Sequence, residues 1–214
     1  MSKELLKRIL SSIIMVPLSL YVIFQGSYLF IIFIIICFIL SSYEWYRMSK
    51  NKFYNFIGFI LLIISFYSFY KIRIEYALDY ILLVLLICVS TDIGGYTFGK
   101  ILGGPNLTKI SPKKTYAGTT GGYFLSILSI YTFLELVNMS SIFKFNLNIF
   151  LIIIIISSVS QLGDIIISYF KRASKIKDTG KIIPGHGGIL DRIDGMIFVF
   201  PIVYLFFQLD LFSF

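Results

Sequence analysis

Residues 147–169, LNIFLIIIIISSVSQLGDIIISY, contain the pattern that decides the fold. The side chains in the first half of this segment are almost all aliphatic or aromatic. The whole segment reaches the roughly 20 residues that a helix needs to cross a bilayer. The whole chain of 214 residues is 57% hydrophobic and only 14% charged, whereas soluble domains are about a quarter charged. A water-soluble core could not bury this much apolar surface, so the sequence predicts an all-α polytopic membrane protein.

Apolar runs of this kind recur along the chain and predict about seven transmembrane helices. Their approximate positions are 9–25, 27–46, 53–70, 77–98, 118–138, 147–169 and 195–212. The first run lacks a cleavage site of small residues, so we interpret it as a short membrane span and not as a signal peptide. Cys37 and Cys88 lie inside apolar runs, which predicts neither a disulfide nor a metal framework. The whole chain, 1–214, is expected to form a single membrane domain.

The distribution of cations predicts the orientation of these helices. If the N-terminus is cytoplasmic, only Lys71, Arg73 and Lys144 of the 19 lysines and arginines fall on the opposite side, as the positive-inside rule requires. The polar loops 99–117 and 170–194 then both face the cytoplasm, which for a bacterial protein means the cytoplasmic membrane. The same rule explains the net charge of +8, and the cations are not interleaved with aromatic residues, so no nucleic-acid partner is expected.

The first break in the apolar pattern follows the fourth predicted span. Asp92 lies near the cytoplasmic end of that span and is followed by several glycines, and the loop then reads SPKKT at 111–115. Ser111, Lys113 and Lys114 precede a glycine-rich helix start, where backbone N–H groups and lysines favour phosphate binding. The alternative is a basic anchor loop in front of a closely packed helix of small residues.

The second break is a polar stripe on the sixth predicted span. Ser160, Asp164, Ser168 and either Lys171 or Arg172 recur at a spacing that places them on one helix face. An ionised Asp in lipid costs on the order of 2.5–3.5 kcal/mol, so we expect Asp164 to face the protein interior or a wet cavity. It either contacts a metal or substrate there, or pairs with a lysine from a neighbouring helix.

The third break is the polar segment 168–195, which is rich in cations and glycines. Its turn Pro184–Gly188 contains the only histidine, His186, which we interpret more readily as a hydrogen-bonding residue than as a catalyst. Asp191 and Asp194 follow at a spacing that places both on one face of a starting helix. Carboxylates combined with substrate phosphates are typical of Mg²⁺ sites, although acidic residues also stabilise a first helical turn without any ligand.

Together these segments resemble the signature of the phosphatidate cytidylyltransferases, also called CDP-diacylglycerol synthases. The similarity covers 168–194 without a gap and extends to SPKKT at 111–115, to 92–99 and to 161–164. Ala117 stands where that family usually has Glu, and Lys100 stands where it commonly has Arg. The resemblance implies transfer of a cytidylyl group from CTP to phosphatidate, which gives CDP-diacylglycerol and pyrophosphate in phospholipid biosynthesis.

The resemblance also implies roles for individual residues. The implied catalytic residues are Asp164, Lys171, Arg172 and Asp191, and the implied metal ligands are Asp164, Asp191 and Asp194. The implied substrate- and phosphate-binding residues are Asp92, Ser111, Lys113, Lys114, Ser168, Lys177, Asp178, His186, Gly187, Gly188 and Arg192. Mg²⁺, a monovalent cation such as K⁺ and a homodimer are further implications.

Two other functions are compatible with the same residues. A CTP-dependent kinase of a lipid alcohol would attack the γ-phosphorus and would need a clear general base to activate a neutral hydroxyl. An ion-coupled transporter would place ionisable residues near the bilayer midplane, whereas here they are predicted to cluster at one membrane face.

Overall fold

A computed structural model describes residues 3–50, 52–108, 110–136 and 145–211. Within these ranges the chain forms eight helices, which confirms the predicted all-α fold. They are α1 Lys3–Gln25, α2 Ser27–Ser49, α3 Tyr54–Glu75, α4 Leu78–Leu102, α5 Tyr116–Leu136, α6 Leu147–Ala173, α7 Leu190–Ile193 and α8 Met196–Gln208. Each predicted span corresponds to one helix, the last of them to α8, and residues 137–138 and 212 of two predicted spans lie outside the described residues.

Five helices in the described part of the chain are long and apolar enough to cross a membrane: α1 from Leu6 onward, α2, α3, α4 and α6. The protein is therefore a polytopic membrane protein, although this number is smaller than the predicted seven. Small and hydroxylated residues lower the hydropathy of α5, and the apolar helix α8 has only 13 residues. The last predicted span, 195–212, corresponds to α8, which begins at Met196 and ends at Gln208, before the predicted end.

Large apolar side chains cover the outside of the helix bundle. Ile13 and Tyr28 are 62% and 83% exposed, and Ile57 and Phe124 are more than half exposed. Monomeric soluble proteins rarely expose apolar patches of such extent, so this surface suits contact with lipid. The buried core lies between α2, α3, α4, α6 and α8 and includes Phe30, Ile81, Ile153 and Val199.

The two ends of the bundle differ in chemistry. At one end the N-terminal half of α1 meets the loop after α6, where Arg8 Nε donates a hydrogen bond to the Gly185 carbonyl at 2.8 Å. The loop before α5 meets α6 at the same end, through Lys114 and Asp164. At the other end Arg73 Nε donates to the Ile23 carbonyl at 2.8 Å. The fold thus collects the segments that were predicted to be cytoplasmic at one end of the molecule.

Glycines allow α4 and α5 to pack with their backbones in contact. A Cβ added to Gly94 would overlap the carbonyl group of Gly121, whereas a Cβ added to the adjacent Gly95 would meet only the Gly118 carbonyl oxygen, at 3.8 Å. Small residues at such a crossing permit close van der Waals contact between helices in lipid, where no hydrophobic effect drives association.

We predict that Gly94→Ala destabilises the protein and that Gly95→Ala does not. Alanine favours a helix interior over glycine by about 0.5–1 kcal/mol, but at Gly94 the overlap with α5 should outweigh this effect by about 1–3 kcal/mol. Thermal unfolding of the two variants in the same detergent measures the difference. Equal unfolding temperatures for both would show that the α4–α5 crossing is not close-packed.

Candidate functional site

The C-terminal half of α6 places the predicted polar stripe along the inner side of the site. Ser160 is fully buried, Asp164 and Ser168 are half-buried, and Lys171 is only 9% exposed. Arg172 is exposed, and its Nη1 donates to the Ile176 carbonyl at 3.3 Å. The stripe therefore ends in Lys171, and the adjacent Arg172 points away from it.

An ion pair joins the loop before α5 to the stripe. Lys114 Nζ lies 2.6 Å from Asp164 Oδ2 and donates to the Gln161 carbonyl at 3.1 Å. The buried Thr115 caps α5 by accepting a hydrogen bond from the Gly118 N–H at 3.1 Å, which is a usual N-cap arrangement. The cap fixes the end of the SPKKT segment, so that its second lysine reaches α6.

Asp191 connects α7 to both α6 and the loop between them. Its Oδ1 accepts a hydrogen bond from Lys171 Nζ at 3.0 Å, and its Oδ2 accepts from the N–H groups of Thr179 at 2.8 Å and Gly188 at 3.0 Å. Burial by itself would raise the pKa of Asp191, but the Gly188 N–H, the Lys171 charge and the Thr179 N–H outweigh burial and lower this pKa. Asp191 is therefore ionised and holds the loop closed.

Asp194, close to Asp191 in the chain, has a raised pKa, whereas the pKa of Asp191 is lowered. Asp194 Oδ2 lies 3.8 Å from Lys171 Nζ. Burial raises the pKa of Asp194, as do the negative charges of Asp164 and Asp92, and the nearby Lys171 only partly opposes them. Asp92 and Asp164 thus disfavour the charged form of Asp194, and a cation bound beside these carboxyl groups would relieve the repulsion.

The donor atoms available near this crowded charge are carboxylate oxygens, which suit Mg²⁺. In the described ranges no three His, Cys, Asp or Glu side chains form a group able to hold a metal ion, so the predicted ligands Asp164, Asp191 and Asp194 do not surround a common point. Mg²⁺ commonly uses only one or two carboxylates and takes its remaining ligands from water and substrate phosphates. Asp164 and Asp194 fit that requirement.

Glu44 on α2 is a central residue of the site that the sequence analysis missed. Its side chain is buried, with 1% exposure for the residue. Oε2 accepts from Thr179 Oγ1 at 3.0 Å and from the Leu190 N–H at 2.8 Å, and Oε1 accepts from the Ile189 N–H at 3.1 Å. A Cβ added to Gly188 would overlap this carboxylate, so the loop is shaped to fit around Glu44.

A signal for Glu44 was present in the sequence. The residue lies near the end of a run of apolar residues, and a carboxylate in such a run is expensive unless it finds partners inside the protein. The same argument identified Asp164 as a candidate. The first part of the chain carries no recognisable motif beyond its hydropathy, so the sequence offers no second signal for Glu44.

His186 is held by α1. Its Nδ1 lies 2.8 Å from Ser11 Oγ and its Nε2 lies 3.3 Å from Ser12 Oγ. Burial lowers the pKa of His186, and the positive charges of Arg192 and Arg8 lower it further. The imidazole is therefore neutral near pH 7 and serves in this structure as a hydrogen-bonding link between the loop and α1.

The remaining predicted residues lie around this centre with fewer contacts. Ser111 is half-buried, and its backbone N–H donates to Thr108 Oγ1 at 3.1 Å. The N–H groups of Gly187 and Gly188 donate to the Ile183 carbonyl and to Asp191, so both predicted phosphate-binding N–H groups have protein partners here. Asp92, described above beside Asp164 and Asp194, is exposed, and exposed side chains complete the predicted set: Lys113, Lys177, Asp178 and Arg192.

Comparison with known proteins places this arrangement in a family. The sequence matches the Cytidylyltransferase family over residues 6–75 and 55–210. A Rickettsia bellii protein named phosphatidate cytidylyltransferase is 36% identical over 204 residues, which cover 92% of this chain and 88% of that protein.

Two further relatives match a smaller part of the chain. A Staphylococcus aureus (strain COL) protein of the same name is 44% identical over 130 residues, 59% of this chain and 48% of that protein. A Bacillus subtilis protein of the same name is 43% identical over 140 residues, 65% of this chain and 50% of that protein. The matches thus span about half the length of these two curated relatives.

We predict that Glu44→Gln loosens the site without unfolding the helix bundle. The amide keeps one acceptor oxygen but presents an N–H₂ group to donors, so at least one buried donor loses its partner at a cost of about 1–3 kcal/mol. Hydrogen exchange at Ile189 and Leu190, whose N–H groups donate to Glu44, should accelerate, and the unfolding temperature in detergent should fall. Glu135→Gln, at an exposed position on α5, is the matched control, and equal behaviour of the two variants would contradict the assigned role.

Proposed function

Because this chain belongs to the Cytidylyltransferase family, we propose that it transfers the cytidylyl group of CTP to phosphatidate and releases pyrophosphate. The observation that supports this most directly is the cluster of lysines and carboxylates, Lys114–Asp164 and Lys171–Asp191–Asp194, at one end of a bundle of membrane helices. Such a position suits a reaction between a lipid phosphate and a water-soluble nucleotide.

The chemistry requires charge neutralisation more than proton transfer. An oxygen of the phosphatidate phosphate forms a bond to the α-phosphorus of CTP, and the bond from that phosphorus to the bridging oxygen breaks. The electron pair leaves with pyrophosphate. The attacking oxygen is already ionised near neutral pH, so a positioned cation serves better than a general base. This requirement fits a site in which the only histidine is occupied by Ser11 and Ser12.

In this proposal each buried charge has a distinct task. Lys171 is oriented by Asp191 and binds a substrate phosphate from a fixed position. Lys114 exchanges its partner Asp164 for a phosphate oxygen as substrate binds. Asp164 and Asp194 would hold Mg²⁺, which when bound neutralises phosphate charge and stabilises the transition state. The exposed cations Arg172 and Lys177 attract the polyanionic nucleotide.

The orientation and assembly belong to the same proposal. We infer that the chain is inserted with the N-terminal end of α1 and the site on the cytoplasmic side, where CTP is available, because this arrangement satisfies the positive-inside rule. A homodimer and a monovalent cation beside Mg²⁺ rest on the family resemblance alone.

The activity is tested by mixing the purified protein with radiolabelled CTP, phosphatidate and Mg²⁺ and measuring CDP-lipid. We expect product, and we expect Asp164→Asn to lower kcat/KM on the order of 100-fold or more, as the loss of transition-state charge stabilisation typically does. Asp79→Asn, in the first turn of α4, is the control and should retain activity. Absence of CDP-lipid from the unaltered protein would refute the proposed reaction, and phosphorylation of a lipid alcohol instead would favour the kinase.

The orientation is tested with single cysteines in a variant whose Cys37 and Cys88 are replaced by Ala. Ala77→Cys lies between α3 and α4, and Ala173→Cys lies at the end of α6; both positions are exposed. In intact cells a membrane-impermeant maleimide should label Ala77→Cys, and it should label Ala173→Cys only after the membrane is opened. The reverse pattern would place the site on the outer side.

A further inference from the structure

An elongated apolar cavity of about 430 Å³ lies between α1 and the rest of the bundle. Its walls include Leu20 of α1, Phe33 of α2, Phe66 of α3, Leu85 of α4 and Phe200 of α8. The α1 residues that line it run from Ser11 to Ile23, which corresponds to roughly 18 Å along the helix axis at 1.5 Å per residue. The cavity therefore extends alongside α1, parallel to this helix.

One end of this cavity is polar and adjoins the candidate site. Ser11, Ser12, His186 and Arg192 all line it there. Arg192 directly follows Asp191, whose carboxylate accepts a hydrogen bond from Nζ of Lys171, the lysine proposed to bind a substrate phosphate. The positive end of the cavity is thus continuous with the position proposed for the phosphates, and the other end is enclosed by aliphatic and aromatic side chains.

We propose that this cavity binds one acyl chain of the lipid substrate and thereby holds the lipid phosphate beside Arg192. The inference rests on the proposed function and adds the binding site of the lipid to it. The occupant must carry an anionic head and a long apolar tail, because the cavity presents a cation at one end and hydrocarbon along its length. A phosphatidate has that distribution, whereas a nucleotide does not.

The attachment of α1 provides a route of entry from the bilayer. At the polar end Arg8 Nε and Ser11 Oγ donate to the carbonyls of Gly185 and Pro184, at 2.8 and 3.0 Å. At the opposite end Arg73 donates to the carbonyl of Ile23. Between these two attachments the outer side chains of α1 are exposed, Leu18 at 52%. The helix is thus fixed at its ends, and an acyl chain reaches the cavity from the lipid alongside its middle.

Binding is tested directly with a phosphatidate that carries a photoreactive diazirine near the end of one acyl chain. The probe is incorporated with the purified full chain in phosphatidylcholine vesicles without CTP, and the crosslinked residues are mapped by mass spectrometry. We expect crosslinks on the cavity walls of α1 and α2. Ser19→Trp fills the cavity, because Ser19 lines it, and should abolish these crosslinks. Leu18→Trp adds the same side chain to the outer face and should preserve them.

Kinetics provide the second readout. For phosphatidate with long acyl chains, Ser19→Trp should raise KM by at least about tenfold, a usual consequence of altering an apolar substrate pocket. Soluble dihexanoyl phosphatidate has chains too short to depend on the cavity, so its KM should be the same for Ser19→Trp as for the unaltered protein. Leu18→Trp should have the KM of the unaltered protein for both substrates.

A second pair of variants protects the test against misfolding of α1. Cys37→Phe narrows the cavity from the α2 wall, and Ile36→Phe, at a position that is 49% exposed, is its control. Crosslinks confined to the outer surface, or unchanged by both cavity-filling variants, would overturn the acyl-chain site even if CDP-lipid is formed. Cavity crosslinks without CDP-lipid would instead support the lipid site and refute the proposed reaction.

Discussion

A buried lysine and its carboxylate partner form the interaction on which the polar end of this protein depends. An unpaired charge in a low-dielectric interior is too costly to persist, so Lys171 must have a negative partner wherever α6 places it. Asp191 is that partner: its Oδ1 lies 3.0 Å from Lys171 Nζ, and its Oδ2 accepts hydrogen bonds from two backbone N–H groups. This one pair therefore fixes the end of α6, the start of α7 and the conformation of the loop between them.

Glu44 on α2 is a second buried charge that needs partners, and it finds them in the same loop. Its two oxygens accept hydrogen bonds from Thr179, Ile189 and Leu190, so a loop with almost no apolar core of its own gains a rigid frame from a transmembrane helix. The two buried carboxylates of Asp191 and Glu44 both accept hydrogen bonds from the loop and leave it little freedom. Rigid placement matters for a reaction between two polyanions, because fixed charges stabilise a transition state without the cost of reorganising at the moment of reaction.

The division of the molecule into a polar end and a lipid-facing body matches the two substrates of the proposed reaction. In the proposed reaction the charged groups bind the water-soluble nucleotide. The cavity behind α1 extends from the same groups into the apolar part of the bundle. His186 lies where these two regions join, and its bonds to Ser11 and Ser12 connect the conformation of the signature loop to the helix that closes the cavity.

The sequence by itself determined the membrane fold, because apolar runs of bilayer length leave few alternatives, and it located the polar segments because charges are conspicuous within such runs. It did not distinguish Lys171 from Arg172 as the last member of the polar stripe. Adjacent residues on a helix point in different directions, and only the packing of the helix shows which of them is buried. It overestimated the last span and missed Glu44, whose partner Thr179 is 135 positions away. Local sequence patterns indicate which residues need partners. Only the tertiary structure decides which partners they find, because packing brings distant segments together.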